Sequence, residues 1–163
     1  MSIEKVRTYF AQFGREGDIR EFEVSSATVE LAAQAVGVEP ARIAMTLSFL
    51  VEDRCILVVC AGDTKIDNAG FKHTFHTKAK MLTAEQVVDF TGHAIGGVCP
   101  FAVDTARVTT YLDESLKRFQ TVFPAAGSSN SAIELTMEEL ERFSQAAGWV
   151  DVCKGWRTEE PTA

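Results

Sequence analysis

A chain of 163 residues, 46% hydrophobic and 24% charged, can bury one full core without disulfide or metal staples. Its net charge of −7 speaks against broad, nonspecific attraction to nucleic acid. The longest apolar stretch, residues 55–61, is a strand's worth and excludes a membrane-spanning helix.

The N-terminal M-S-I-E-K-V-R lacks the apolar region of a signal peptide, so a cytoplasmic location is expected. Ile3, Val6, Tyr9, Phe10 and Phe13 recur at helical spacing, with Ser2 able to cap and Gly14 to terminate. A short strand follows at 20–24, then a helix through Val29, Ala33 and Val36 closed by Gly37, with Pro40 opening a brief turn. Residues 43–51 and 55–61 are rich in Leu, Val, Ile and Phe and flank Glu52-Asp53-Arg54, the pattern of a largely buried β-hairpin. Asp67 is placed to cap a helix running to Phe75, and 78–81 reads as a short strand. Thr83 with Gln86 forms a capping box for a helix whose apolar face is Val87, Val88 and Phe90 and whose stop is Gly92. Strands are expected at 108–112, 121–126 and 131–135, the last two joined by Gly127-Ser128-Ser129-Asn130. Thr136 and Glu139 make a second capping box, for a helix reaching Ala147 before Gly148, and 149–152 closes the sheet.

No repeat or linker divides the chain, so one domain is expected over 1–153 with a loose polar tail at 154–163. Strands and helices intermix without regular βαβ alternation. The fold class is therefore α/β of the α+β type: a mixed, largely antiparallel β-sheet curled towards a barrel and surrounded by helices.

The most informative segment is 90–101, F-T-G-H-A-I-G-G-V-C-P-F. Gly96 and Gly97 permit positive φ and close backbone approach, and Pro100 fixes the exit of the loop. Such a loop either presents main-chain N–H groups to an oxygen or simply turns between a helix and a strand. His93 and Cys99 offer a base and a thiol six residues apart, but no third group orients them, and a cysteine between Val and Pro is more often a small buried hydrophobe. Cys55, Cys60, Cys99 and Cys153 show no C-x-x-C spacing, and His73 with His76 lacks a completing ligand, so no metal and no cofactor are expected. Lys65, Lys72, Lys78 and Lys80, with His73 and His76 and only Asp67 against them, form a local basic face on an acidic protein. It suits either a few phosphates or a solvated helix face.

The order of these pieces resembles the YbaK family, relatives of the editing domain inserted in bacterial prolyl-tRNA synthetases. I-A-M-T-L at 43–47, the segment at 90–101, Y-L-D-E-S-L at 111–116, A-A-G-S-S-N-S-A-I-E-L-T at 125–136 and W-V-D-V at 149–152 carry the resemblance, with Gly96 and Pro100 fitting a G-x-x-x-P loop. It implies a free-standing aminoacyl-tRNA deacylase that cleaves the ester of a wrong amino acid, typically alanine or cysteine, on tRNA for proline. Under it, Gly96, Gly97, Val98, Cys99 and Pro100 form the catalytic loop. Phe22, Met45, His93, Ser129, Asn130, Ser131 and Ala132 form the substrate pocket, and Lys65, Lys72, Lys78 and Lys80 meet the acceptor end of the tRNA. A prolyl-tRNA synthetase is an implied partner, and neither a membrane nor specific DNA binding is implied. The family usually has lysine where Met45 stands, and Phe22 and Ala132 replace tyrosyl or acidic positions. These departures keep a second reading open: a non-catalytic module that binds an aminoacyl ester or a nucleotide.

Overall fold

Two consecutive apolar runs make the centre of the fold. In a computed structural model, which describes residues 2–157, they form the long hairpin β2–β3. In chain order the elements are α1 (Ser2–Ala11), β1 (Arg20–Glu21), α2 (Val29–Val36), β2 (Ile43–Val51), β3 (Arg54–Ala61), β4 (Lys65–Ile66), α3 (Asn68–Phe75), α4 (Ala84–Thr91), β5 (Val108–Asp113), β6 (Thr121–Pro124), β7 (Ser131–Ala132), β8 (Leu135–Thr136), α5 (Met137–Ser144), β9 (Gly148–Val150) and β10 (Cys153–Lys154). The main sheet has the order β8-β6-β2-β3-β5-β9 and curls into a half-barrel. Its β2–β3 and β6–β8 ladders are antiparallel, and its β2–β6, β3–β5 and β5–β9 ladders are parallel. Two short antiparallel ladders, β1–β7 and β4–β10, stand beside it.

β3 is buried from Cys55 to Ala61, as a strand with cover on both faces must be. Ala44, paired with Ala61, lies with Val59 on the face covered by α1 and α5 through Val6, Phe10, Leu140 and Phe143, while Leu50 packs further along with Leu57 and with Val87 of α4. Met45, Leu47 and Phe49 share the opposite face, where Phe71 of α3 packs against Phe49 with ring centroids 4.7 Å apart. Both capping boxes form, at Thr83/Gln86 and Thr136/Glu139, and Gly37 and Gly92 end their helices with φ of 84° and 73°.

The structure corrects several boundaries. The segment at 78–81 joins the sheet only at the bridge Met81↔Phe49 rather than as a strand. The expected strand 131–135 splits into β7 and β8 with Ile133 buried between them, because its two ends pair with β1 and β6 respectively. α5 stops at Ser144, where Gln145 takes φ 53°, leaving Gly148 to open β9. Val88 is exposed on the outer side of α4. Order continues past 153: Lys154 pairs with Lys65, and Trp156 packs against the Phe49–Phe71 cluster. The rest of the expected tail, 158–163, lies outside the described residues. No helix among the described residues is long and apolar enough to cross a membrane.

Candidate functional site

One edge of β2 changes partner halfway along. At its start Ile43 and Ala44 pair with Phe123 and Pro124 of β6. Towards its end the Leu50 N–H donates to the Lys80 carbonyl (2.8 Å), and the Ser48 carbonyl accepts from the Leu82 N–H (3.2 Å). Between these partners the edge is open, and a cavity of about 260 Å³ occupies the gap. β2 contributes Ile43 to Leu47, including Met45, to its walls. Ser26–Val29 and Ala32 supply another side, Phe123, Ala125, Ser131 and Ala132 a third, and Gly96 and Val98 the fourth. Among the described residues no charged side chain lines it.

The glycine loop reaches this cavity for identifiable reasons. The Gly97 N–H donates to the Ala94 carbonyl (3.0 Å), closing a turn in which Gly96 holds φ +97°, a value that L side chains rarely adopt. Gly97 is buried against the 128–131 turn: a Cβ there would lie 2.8 Å from the Ser128 Cα and N atoms. Val98 packs against the apolar cluster that holds Leu57 and Val87. The two glycines therefore differ in task. Gly97 lets two pieces of backbone touch, while Gly96 makes the turn and faces the cavity. Because the Gly97 amide is already engaged, the loop N–H groups without a partner among the described residues include those of Gly96 and Val98, and both residues line the gap.

His93 and Cys99 meet, but away from the cavity. The Ser2 hydroxyl donates to His93 Nδ1, and His93 Nε2–H donates to the Phe101 carbonyl at 2.8 Å, with Cys99 Sγ 3.6 Å from the same nitrogen. Both side chains are fully buried. Burial lowers the His93 pKa, against the opposing effect of the Phe101 bond, and the nearby Lys5 charge lowers it further. Burial pushes the Cys99 thiol up to about 12. A neutral imidazole and a protonated thiol are thus a strut tying α1 to the end of the loop, not a nucleophile and base. Pro100 is buried alongside.

The other expected pocket residues divide. Ser131 and Ala132 line the cavity with Met45. Phe22, Ser129 and Asn130 do not line it. The Asn130 carbonyl accepts from the Phe22 N–H (2.8 Å), its side-chain amide donates to the Phe22 carbonyl (2.9 Å), and the Ser129 carbonyl accepts from the Ser26 N–H (2.6 Å). They brace the wall from behind. Sequence reading placed Val98 in the loop but missed Ala27 and Thr46 as residues of the same wall as Met45. On the basic face, Lys72 and Lys78 border one open depression of about 450 Å³ with Asn68 and Ala69. Lys65 stands opposite Lys154 in the β4–β10 ladder, and Lys80 lies beside Leu50. None of these lysines is in an ion pair among the described residues. No group of three or more His, Cys, Asp or Glu among the described residues is placed to hold a metal.

A family model for the aminoacyl-tRNA editing domain matches residues 23–143, which span the cavity walls and the loop. The uncharacterized protein YwhH of Bacillus subtilis (strain 168) is 58% identical over 157 residues, covering 96% of this chain and 99% of that one. The proline–tRNA ligase of Thermotoga sp. (strain RQ2) is 27% identical over 93 residues, 56% of this chain but only 16% of that enzyme. A solved structure described as a candidate trans-editing enzyme for prolyl-tRNA synthetase superposes with a TM-score of 0.84 at 30% identity, covering 94% of this chain and 98% of that one. The chain belongs to the aminoacyl-tRNA editing domain family.

Proposed function

We propose that this member of the editing-domain family works as a free-standing deacylase, hydrolysing the ester of mischarged aminoacyl-tRNA in trans, with tRNA for proline carrying alanine or cysteine as its first substrates. The observation that carries the reading is the uncharged cavity in which Gly96 and Val98 face Met45 across the open edge of β2. An aminoacyl ester is already activated, so orientation and oxyanion stabilisation supply much of the acceleration. Water adds to the ester carbonyl, and the N–H groups of Gly96 and Val98 receive the developing oxyanion. Collapse expels the ribose oxygen, which takes up the proton given by the water, and the amino acid leaves. Each such donor is worth about 2.7–4 kcal/mol. No side-chain nucleophile is required, and the substrate's neighbouring ribose hydroxyl is the group best placed to orient the water.

Lys72 and Lys78, flanked by Lys65 and Lys80, would take phosphates of the acceptor end. The same chemistry makes a cytoplasmic prolyl-tRNA synthetase, the source of mischarged product, the natural partner. Met45 favours one competing reading, a module that binds without catalysis, because it supplies neither charge nor donor to the pocket. A panel of alanyl, cysteinyl and seryl tRNA tests the choice: release of amino acid supports the deacylase, and binding without release supports the module. Met45→Lys restores a charge-assisted hydrogen bond worth about 1.5–3 kcal/mol and should raise turnover by about one to two orders of magnitude. No gain in a folded variant would mean that the pocket is built for a different contact.

A further inference from the structure

Among the described residues, one buried side-chain polar atom has no hydrogen-bond partner, and it is Oγ1 of Thr46, in the wall of the cavity. An orphaned hydroxyl in a folded chain calls for a reason. The main chain of the same residue is also unmatched. Ser48 and Leu50 direct their carbonyl and N–H groups to the edge of β2 away from β3, and Ala44 pairs with β6 on that edge. Alternation along the strand points the Thr46 carbonyl and N–H the same way, into the interval where β6 has ended and the 80–82 segment has not begun. Thr46 has no main-chain partner there among the described residues. One rung of the edge is empty, and the cavity is what occupies it.

The rest of the wall offers little to a ligand's polar groups. The Ser131 hydroxyl is bonded to Ser128 (2.6 Å), the Thr28 hydroxyl accepts from the Leu31 N–H (3.2 Å), and the Ser26 hydroxyl donates to the Ser129 carbonyl (3.2 Å). An amino group entering this cavity meets no carboxylate and must find neutral acceptors. We propose that Thr46 fills that need: its carbonyl and its hydroxyl accept from the α-amino group of the aminoacyl ligand, which docks as the missing rung of the β2 edge. The inference rests on the site being the aminoacyl pocket of the deacylase reading, and it adds a specificity. The site selects acyl groups bearing a free α-amine over des-amino or N-blocked ones. The hydroxyl, held by no partner, turns about χ1 between staggered wells to reach the ligand.

The test uses non-hydrolysable adenosine conjugates, so that binding is read apart from turnover. 3′-Alanylamido-3′-deoxyadenosine is compared with its propionyl counterpart, which is smaller and lacks only the amine. The full chain should bind the alanyl conjugate at least about tenfold more tightly, the loss expected when a hydrogen bond to a charged group goes unmade. Thr46→Val, which removes the hydroxyl and keeps the shape, should shrink that ratio while leaving propionyl binding unchanged; Thr46→Ser should restore the ratio. Equal binding of the two conjugates, or an unchanged ratio in Thr46→Val, overturns the proposal, as does failure to bind either. A clear alanyl preference with no deacylation of any mischarged tRNA upholds Thr46 and sinks the deacylase reading instead, so the two failures are distinguishable.

Discussion

Adding one methyl group at Gly97 tests whether loop position governs activity. A Cβ at this residue would lie 2.8 Å from the Ser128 Cα, 2.8 Å from its N and 2.9 Å from its C. All three atoms are main chain, so no side chain can swing aside, and the loop or the 128–131 turn must move by several tenths of an ångström. Overpacking of this kind costs about 1–3 kcal/mol. A misplacement of the Gly96 and Val98 amides by about 1 Å costs on the order of 10²-fold in rate, and a smaller shift proportionately less. Gly96→Ala makes the control. Its Cβ would have room, 3.4 Å from Ala27 Cβ and 3.6 Å from Ser129 Cβ, but φ of +97° is unfavourable for alanine. The cost is about 1–2 kcal/mol of backbone strain, with the loop held where it is. Denaturant unfolding should thus show both variants destabilised by similar amounts. Single-turnover deacylation should show Gly97→Ala far slower than Gly96→Ala. Wild-type turnover in Gly97→Ala would refute the idea that the fixed loop-to-turn contact sets the geometry of the amides.

Further outcomes follow from the same structure. Lys72→Ala with Lys78→Ala should weaken tRNA binding and flatten the dependence of log K on log salt by about 0.7–0.9 for each phosphate contact removed, while alanyl-adenosine conjugate binding stays constant; an unchanged slope would move the RNA to another face. Cys99→Ala should keep deacylase activity and lose some stability, since the thiol sits beside His93 Nε2 rather than in the cavity; loss of turnover in a folded variant would revive a thiol role. His93 is held below its ordinary pKa of 6.5 by burial, so the native state binds fewer protons than the unfolded one. Its contribution to stability is full above 6.5, declines as pH falls through that value and levels off below the depressed folded value. The unfolding midpoint followed between about pH 7.5 and 5 should show a decline that His93→Gln reduces; identical profiles would remove His93 from the account.

Much of the fold was legible because its punctuation is chemical. Thr83–Gln86 and Thr136–Glu139 satisfy helix-start amides reciprocally, and Gly37 and Gly92 take the positive φ that ends a helix; each device acts within a few residues. The hairpin was equally plain, since the buried runs are long and the turn between them is charged. Failures came where pairing across the sheet decides the outcome. A segment at 78–81 with strand character contributes a single bridge, Met81↔Phe49, instead of a ladder along the free part of the β2 edge. α5 stops at Ser144, three residues short of the expected Ala147, although nothing local forbids another turn.

The site was legible in its parts and not in its assembly. Gly96 and Met45 were identifiable as a loop glycine and a strand residue, yet what makes them neighbours is an interruption: β6 leaves the edge of β2 after Ala44, and the 80–82 segment joins it only from Ser48. That gap involves three segments up to 80 residues apart in the chain, and no local pattern announces it. It also explains why Cys99 is the buried hydrophobe its neighbours suggest, and why His93, expected in the pocket, lies outside it. In sequence they sit on the loop that reaches the cavity, but the turn closed by Gly97 directs Gly96 and Val98 towards β2 while Cys99 goes to the core beneath α1. The residues most reactive on paper became structural. Groups without side-chain chemistry, the amides of Gly96 and Val98 and the main chain of Thr46, were left facing the opening in the β2 edge. Under the deacylase reading, such a pocket would change its preferred acyl group through wall residues such as Met45 without disturbing the amides, because wall and loop are held by different parts of the fold.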